Sequence, residues 1–249
     1  MKRLNLFFRA GLFLLLTACS THYAPNGVAW RDYRIKQGAA TDSSLLQMLQ
    51  PYSDSIDKTM NSVLAEAAET LERKQPEGAL GNLLADALLY TAQKKFGVTV
   101  HAAFINNGGI RLPVLQKGNI TTGKVYELMP FDNVIVLQQL SGTQLQTFLD
   151  HISKRGGWPV SGLTYDIQND RAVNISINGQ PLNPAGNYTI CNSDFVANGG
   201  DDCAMLRSIK QMNRNVLMRE SFITYFKELS AQGKKITAPP GNRVRKLDP

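Results

Sequence analysis

Apolar positions along the chain change their spacing several times, and each change predicts an element. Leu80, Leu83, Leu84, Ala87, Leu88 and Thr91 fall at i, i+3, i+4, i+7, i+8 and i+11, one stripe of an amphipathic helix. Residues 98–105 and 133–140, with their clusters of β-branched and other apolar side chains, predict strands. Ser141-Gly142 breaks the second of these. Residues 143–154 then resume a helical period, with Leu145, Phe148, Leu149 and Ile152 on one side. Short strands are predicted at 162–167, 172–177 and 188–191, and a closing helix at 216–229 before Ala238-Pro239-Pro240-Gly241 stops regular structure. Weak alternation over 61–71 predicts one more strand, and 43–49 a short helix. Helices and strands mix without a clean strand–helix–strand alternation. This favours an α+β fold of layered helices and sheets over a doubly wound parallel sheet.

The first nineteen residues read differently. Lys2, Arg3 and Arg9 precede an apolar run, Ala10 to Ala18, that is too short for a permanent membrane span. Leu16-Thr17-Ala18-Cys19 resembles a bacterial lipobox, so residues 1–19 are expected to be a lipoprotein signal peptide with Cys19 the acylated residue. Ser20, not Asp, follows the cysteine, which points to a lipid anchor at the outer membrane of a bacterial envelope. Residues 20–57 mix Pro, Gly, Ser, Thr and aromatics and are expected to be a tether, followed by a single domain over 58–247.

Composition narrows the chemistry. The 249 residues are 43% apolar and 19% charged, a globular balance. The net charge is +7, but the cations are scattered, with Arg243, Arg245 and Lys246 the densest group, and no basic stripe is interleaved with aromatics. A nucleic-acid polymer is therefore not an expected partner. There are three histidines (His22, His101, His151) and three cysteines, with no Cys-x-x-Cys and no His-Glu-x-x-His, too few ligands for a self-contained zinc or two-metal centre. With Cys19 lipidated, Cys191 and Cys203 remain. A disulfide between them would contribute about 3 kcal/mol in the chain-entropy account, and a pair of buried free thiols is the other reading. His101 lies in an apolar strand and reads as a packed side chain, and His151 reads as a surface residue of its helix.

Three segments stand out. Phe104-Ile105-Asn106-Asn107-Gly108-Gly109-Ile110-Arg111 ends a strand in a tight loop, where glycines let the backbone approach a ligand and Arg111 can present a planar fork to an anion. Leu128-Met129-Pro130-Phe131-Asp132-Asn133 holds an aromatic in a turn. Ser193-Asp194-Phe195-Val196-Ala197-Asn198-Gly199-Gly200-Asp201-Asp202 holds a second aromatic before a sharp acidic loop without EF-hand spacing. Two turn-mounted aromatics suit a flat ring, Asn a base edge, Asp ribose hydroxyls and Arg a phosphate.

These segments occur in order with Glu77 to Ala87 (which contains Gly81-Asn82-Leu83), Gly118-Asn119-Ile120-Thr121 and Pro239-Pro240-Gly241-Asn242-Arg243-Val244. The ordered set, over about residues 58–247, resembles the C-terminal, substrate-binding domain of the 5′-nucleotidase family. The resemblance implies an α/β/β/α sandwich. It implies that Phe131 and Phe195 stack on a nucleobase, Asn106 contacts the base side, Arg111 meets phosphate or ribose, and Asp201 accepts ribose hydroxyls. Gly108, Gly109, Asn198 and Gly199 complete the expected substrate-binding set. The chain departs from the family where Gln75-Pro76 stands in place of a phosphate-binding arginine, with Arg73 slightly upstream. It departs further in lacking the Asp-x-His, Gly-Asn-His-Glu and Gly-His-x-His segments of the family's metallophosphatase domain. The expectation is a nucleoside- or nucleotide-binding lipoprotein with no catalytic residue and no metal of its own, acting in nucleotide catabolism. A separately encoded metallophosphatase would supply two divalent metals. A stand-alone nucleoside-binding protein and a degenerate structural envelope lipoprotein remain as the alternatives.

Overall fold

The computed structural model describes residue 27, residues 29–33 and residues 42–247. The signal segment, the lipobox with Cys19, and His22 lie outside the described residues. The chain divides into two units, Met1–Met48 and Leu49–Pro249. In the first, the described residues are exposed, and the Asp42 carboxylate accepts the Ser44 and Leu45 N–H groups at 2.9 and 3.1 Å, capping the start of a helix. That helix, α1, runs over Ser43–Met60. It is longer than the expected 43–49 and extends through 50–57, where irregular chain was expected. Pro51 does not end it, although Pro51 has no N–H to donate within it. No helix among the described residues is long and apolar enough to cross a membrane.

The second unit contains helices α2 (Ala79–Phe96), α3 (Thr122–Leu128), α4 (Gly142–Lys154), α5 (Asp194–Ala197) and α6 (Met218–Ala231). Its strands are β1 (Val63–Ala67), β2 (Leu71–Glu72), β3 (Ala102–Phe104), β4 (Val114–Leu115), β5 (Gly118–Thr121), β6 (Val134–Ser141) and β7 (Val160–Ser161). They continue with β8 (Leu163–Gln168), β9 (Arg171–Ile177), β10 (Gln180–Pro181), β11 (Asn187–Ser193), β12 (Gln211–Leu217) and β13 (Val244–Lys246).

A five-stranded mixed sheet in the order β12-β6-β11-β3-β7 separates two cores. Alternate residues of its strands point to opposite faces. Ala103, Ile105, Ile135, Leu137 and Cys191 join the core beneath α2, α3 and α6, while Ala102, Phe104, Leu140 and Ile190 join the core beneath α4, β8 and β9. The result is the expected α+β class. A second sheet, β10-β9-β8-β13, and two short ladders, β1-β5 and β2-β4, complete it. The single strand expected over 61–71 is instead two, because β1 and β2 find different partners on either side of a bend at 68–70. Val216 and Leu217 belong to β12 and not to the closing helix, which begins at Met218.

Helix α2 buries every residue of the predicted stripe and also Asn82, Ala85, Ala92 and Phe96, so it is covered on more than one side. Its close seat depends on Gly81, where a Cβ would come within 2.5 Å of the Pro159 ring. Helix α4 opens with a capping box. Ser141 Oγ accepts the Gln144 N–H at 3.2 Å, and Gln144 Oε1 accepts the Ser141 N–H at 2.8 Å.

The segment before β13 is held by charge. Arg243 meets both oxygens of Asp86 on α2, at 2.6 and 2.8 Å, and Glu77 accepts the Arg243 and Val244 N–H groups at 2.8 and 3.0 Å. β13 then lies parallel to β8, and Arg245 donates Nε and Nη2 to Asp166 at 2.7 and 2.9 Å. Asn174 adds a third donor to Asp166 at 2.8 Å.

Cys191 and Cys203 are both free and buried, which corrects the disulfide reading. The reason is placement on opposite sides of the sheet: Cys191 of β11 points into the α2–α6 core, and Cys203, in the loop beyond α5, packs into the α4 core, with the five-stranded sheet between them. Burial pushes the Cys191 thiol well above its ordinary range and the Cys203 thiol up to about 12. A thiol reagent is expected to spare both in the folded protein and to titrate both after denaturation without reductant. Recovery of neither thiol on denaturation would mean a bridge exists.

The hydrogen bond from Arg245 holds the Asp166 carboxyl below its ordinary range, against the opposing effect of its burial, with Asn174 adding to the lowering. Its contribution to stability is therefore full above the unfolded-chain carboxylate range and is lost as pH falls through the lower folded value. Urea midpoints from pH 7 to pH 3 should fall less steeply for Asp166→Asn than for the wild type. Parallel curves would remove Asp166 as a source of acid sensitivity.

Candidate functional site

The loop after β3 is one turn of 3-10 helix, Asn107–Gly109, entered from Asn106. Gly109 N–H donates to the Asn106 carbonyl at 2.9 Å, and a Cβ at Gly109 would stand 2.9 Å from Asn106 Oδ1. Arg111 N–H donates to the Leu128 carbonyl at 2.9 Å, which ties the loop to the end of α3. Arg73, directly after β2, reaches the same loop and donates to the Ile110 carbonyl and, at 3.3 Å, to that of Asn107. Its guanidinium is therefore used on the loop backbone. Beside it lies a second cavity of about 390 Å³, lined by Arg73, Lys74, Gln75, Asn107 and Gly108.

The aromatics come from neighbouring strands. β6 and β11 are antiparallel, with Ser193 opposite Ile135, so the turn before β6 and the turn after β11 emerge at one edge. Phe131 sits in the first and Phe195 in the second, and they are 41% and 45% exposed, unusual for phenylalanine beside so large a core. Arg219 of α6 is buried behind the Phe131 turn. It donates to the Met129 and Phe131 carbonyls at 3.3 and 3.1 Å, pairs with Asp132, and stacks 4.1 Å over the Tyr126 ring. Gly200 backs Phe195, and a Cβ there would fall 2.4 Å from the ring.

Asp201 is held in the left-handed region at φ 51°, ψ 37°, a costly conformation for a residue with a side chain. Three contacts hold it there. His151 Nε2 donates to its carbonyl at 2.9 Å, the Cys203 thiol approaches the same oxygen at 3.7 Å, and Asn106 Nδ2 donates to its carboxylate at 2.6 Å. His151 is half-buried and part of this support, which corrects its reading as a surface residue. Next to it, Arg155 pairs with Asp202 at 2.9 Å.

These pieces enclose a cavity of about 330 Å³ lined by Asn106, Gly108, Gly109, Arg111, Phe131, Asn133, Phe195 and Asp201. Its size falls within the range of small-molecule sites. Arg111 lies over the Phe131 ring at 5.8 Å, so a cation rims the aromatic wall. Seven of the nine residues expected from sequence are brought together. Asn198 and Gly199 are not in the lining. Asn198 instead accepts Arg207 Nε through its carbonyl at 3.0 Å and Gln211 Nε2 through its side chain at 2.9 Å. Gly199, at φ 91°, has no room for a Cβ beside the Arg207 guanidinium. Asn133 was missed although it directly follows the Phe131 turn. Arg219 and His151 were missed because each acts from an element distant in sequence.

The described residues do not fit a metal centre. No group of three His, Cys, Asp or Glu side chains among them could hold an ion. His101 Nδ1 accepts the Thr189 N–H at 3.0 Å with its ring edge-on to Tyr188, the packed role expected of it, and His151 is bonded to Asp201.

The family described as 5′-nucleotidase, C-terminal domain, matches residues 34–208. A 5′-nucleotidase precursor from Thermus thermophilus has the same fold with a TM-score of 0.70 and 30% identity, over 82% of this chain and 43% of that one. A cell wall protein of Listeria monocytogenes is 30% identical over 183 residues, 67% of this chain and 23% of its own length. A 5′-nucleotidase of Vibrio parahaemolyticus is 26% identical over 170 residues, 64% of this chain and 29% of its own length. The chain thus spans less than half the length of each of these relatives. With more than half of its residues matched to the family, the chain belongs to the 5′-nucleotidase C-terminal domain family.

Proposed function

We propose that this chain recognises a nucleoside or nucleotide and serves as the substrate-binding half of a 5′-nucleotidase-type phosphohydrolase. The observation that carries the reading is the pair of half-exposed rings, Phe131 and Phe195, facing one cavity with Asn106, Asp201 and Arg111 around it. The two rings offer a base its π-faces, Asp201 offers ribose hydroxyls an acceptor, and Arg111 offers an anion a planar donor. The lipobox at Cys19 supports a lipid-anchored protein of the bacterial outer membrane.

In this reading a separate metallophosphatase supplies the chemistry. Two divalent ions there would polarise the phosphate and activate water. This chain contributes affinity and orientation, which accelerate hydrolysis only when the partner's reacting groups are brought to the bound phosphate. Binding without any partner is the alternative, since the base, ribose and anion contacts proposed here all lie within this chain.

Calorimetric titration of residues 20–249 with adenosine and AMP is expected to show saturable binding. Phe131→Ala and Phe195→Ala should each weaken it by about 1–3 kcal/mol, the range for one lost base–aromatic stack. No binding at millimolar ligand, or affinity unchanged from the wild type in both variants, would overturn the recognition reading. Mixing the protein with an exported metallophosphatase should raise AMP hydrolysis above that of the phosphatase alone, and no increase would leave a stand-alone binding protein.

A further inference from the structure

Phe131 and Phe195 belong to segments more than sixty residues apart, yet a ring sandwich works only if their separation is held. The β6–β11 ladder brings the segments near each other but ends at Ser193 opposite Ile135, before either aromatic is reached. Beyond that rung the backbone of β11 turns into α5 and can no longer pair with β6. A side chain takes over. Asp194 Oδ1 accepts the Val134 N–H at 3.1 Å and the Phe195 N–H at 2.9 Å. One oxygen thus serves a donor beside each aromatic turn: Val134 lies three residues after Phe131, and Phe195 carries the second ring itself.

We infer that Asp194 is a positioning residue that sets the separation of the two rings, an inference that rests on the nucleoside-recognition reading for its use. The other supports each act on one side. Arg219 and the Met218 N–H, which donates to the Asn133 carbonyl at 2.9 Å, brace the Phe131 turn alone, and Gly200 backs Phe195 alone. Ser193 Oγ caps the α5 N–H of Val196 at 3.2 Å and does not reach β6. Among the described residues only the Asp194 oxygen bonds both Val134, the β6 residue that directly follows the Phe131 turn, and the Phe195 turn. Its carboxylate is acceptor-only, so two converging N–H groups meet no competing donor. An alanine would leave both donors without this partner and free the turns to drift independently. An asparagine keeps an acceptor oxygen in place.

The test labels the full chain with fluorophenylalanine and compares wild type, Asp194→Ala and Asp194→Asn. The fluorine resonances of both Phe131 and Phe195 should move in the alanine variant and return toward wild type in the asparagine variant. Adenosine affinity should fall about tenfold in Asp194→Ala, as for a misaligned stack, and recover within about threefold in Asp194→Asn. A purely structural role would lower the melting temperature of Asp194→Ala without changing affinity well below the transition. Movement of the Phe195 resonance alone, or unchanged adenosine affinity with both resonances moved, overturns the inference. A wild type that fails to bind adenosine overturns the nucleoside reading separately, while coordinated movement of both resonances would still establish the link.

Discussion

The antiparallel ladder between β6 and β11 is the constraint on which the cavity depends. Both strands lie inside a sheet buried on two faces, so a one-residue slip would turn Cys191 and Leu137 toward the wrong core and Ile190 and Leu140 toward the other. Burial on both sides therefore specifies the register strongly. The register in turn places the start of β6 and the end of β11 at one edge. Each aromatic is thus carried to the cavity by hydrophobic packing in which the aromatic itself takes no part.

Around that ladder the residues of the family resemblance divide into two groups. Asn106, Arg111, Phe131, Phe195 and Asp201 meet at the cavity. Glu77, Asp86 and Arg243 do not. They form a clamp that brings the chain's last strand against β8 and seats it on α2. The Asp86–Arg243 pair is mostly buried and doubly bonded, a geometry in which loss of one partner is far more damaging than the net value of the pair. Shared motifs in this chain accordingly mark both the cavity lining and the ionic joints of its frame.

The cavity walls are held from behind. Arg219 secures the Phe131 turn, His151 and Asn106 secure Asp201, and Arg73 secures the Asn107–Gly109 turn through its carbonyls. Asp201 stays left-handed because its backbone and its side chain are both bonded, so local strain is compensated by neighbouring contacts.

Local spacing was sufficient to read much of this molecule. The stripe Leu80 to Thr91, the capped helix after Ser141 and three strands of the central sheet, β3, β6 and β11, follow from local pattern, which depends only on near neighbours in the chain, whereas β7 and β12 do not. The cavity residues were legible through ordered motifs, because tight loops of this kind need particular residue types at particular places. Adjacency also misled: Asn198 and Gly199 share the motif of Asp201, but they shape the loop and do not face the cavity. Three facts were decided by tertiary structure alone. Cys191 and Cys203 are kept apart by the sheet between them, Asp194 reaches across a ladder to Val134, and Arg219 and His151 support turns far from them in sequence. Sequence spacing records which face a residue takes within its own element. Which distant element meets that face is set by the packing of both cores at once.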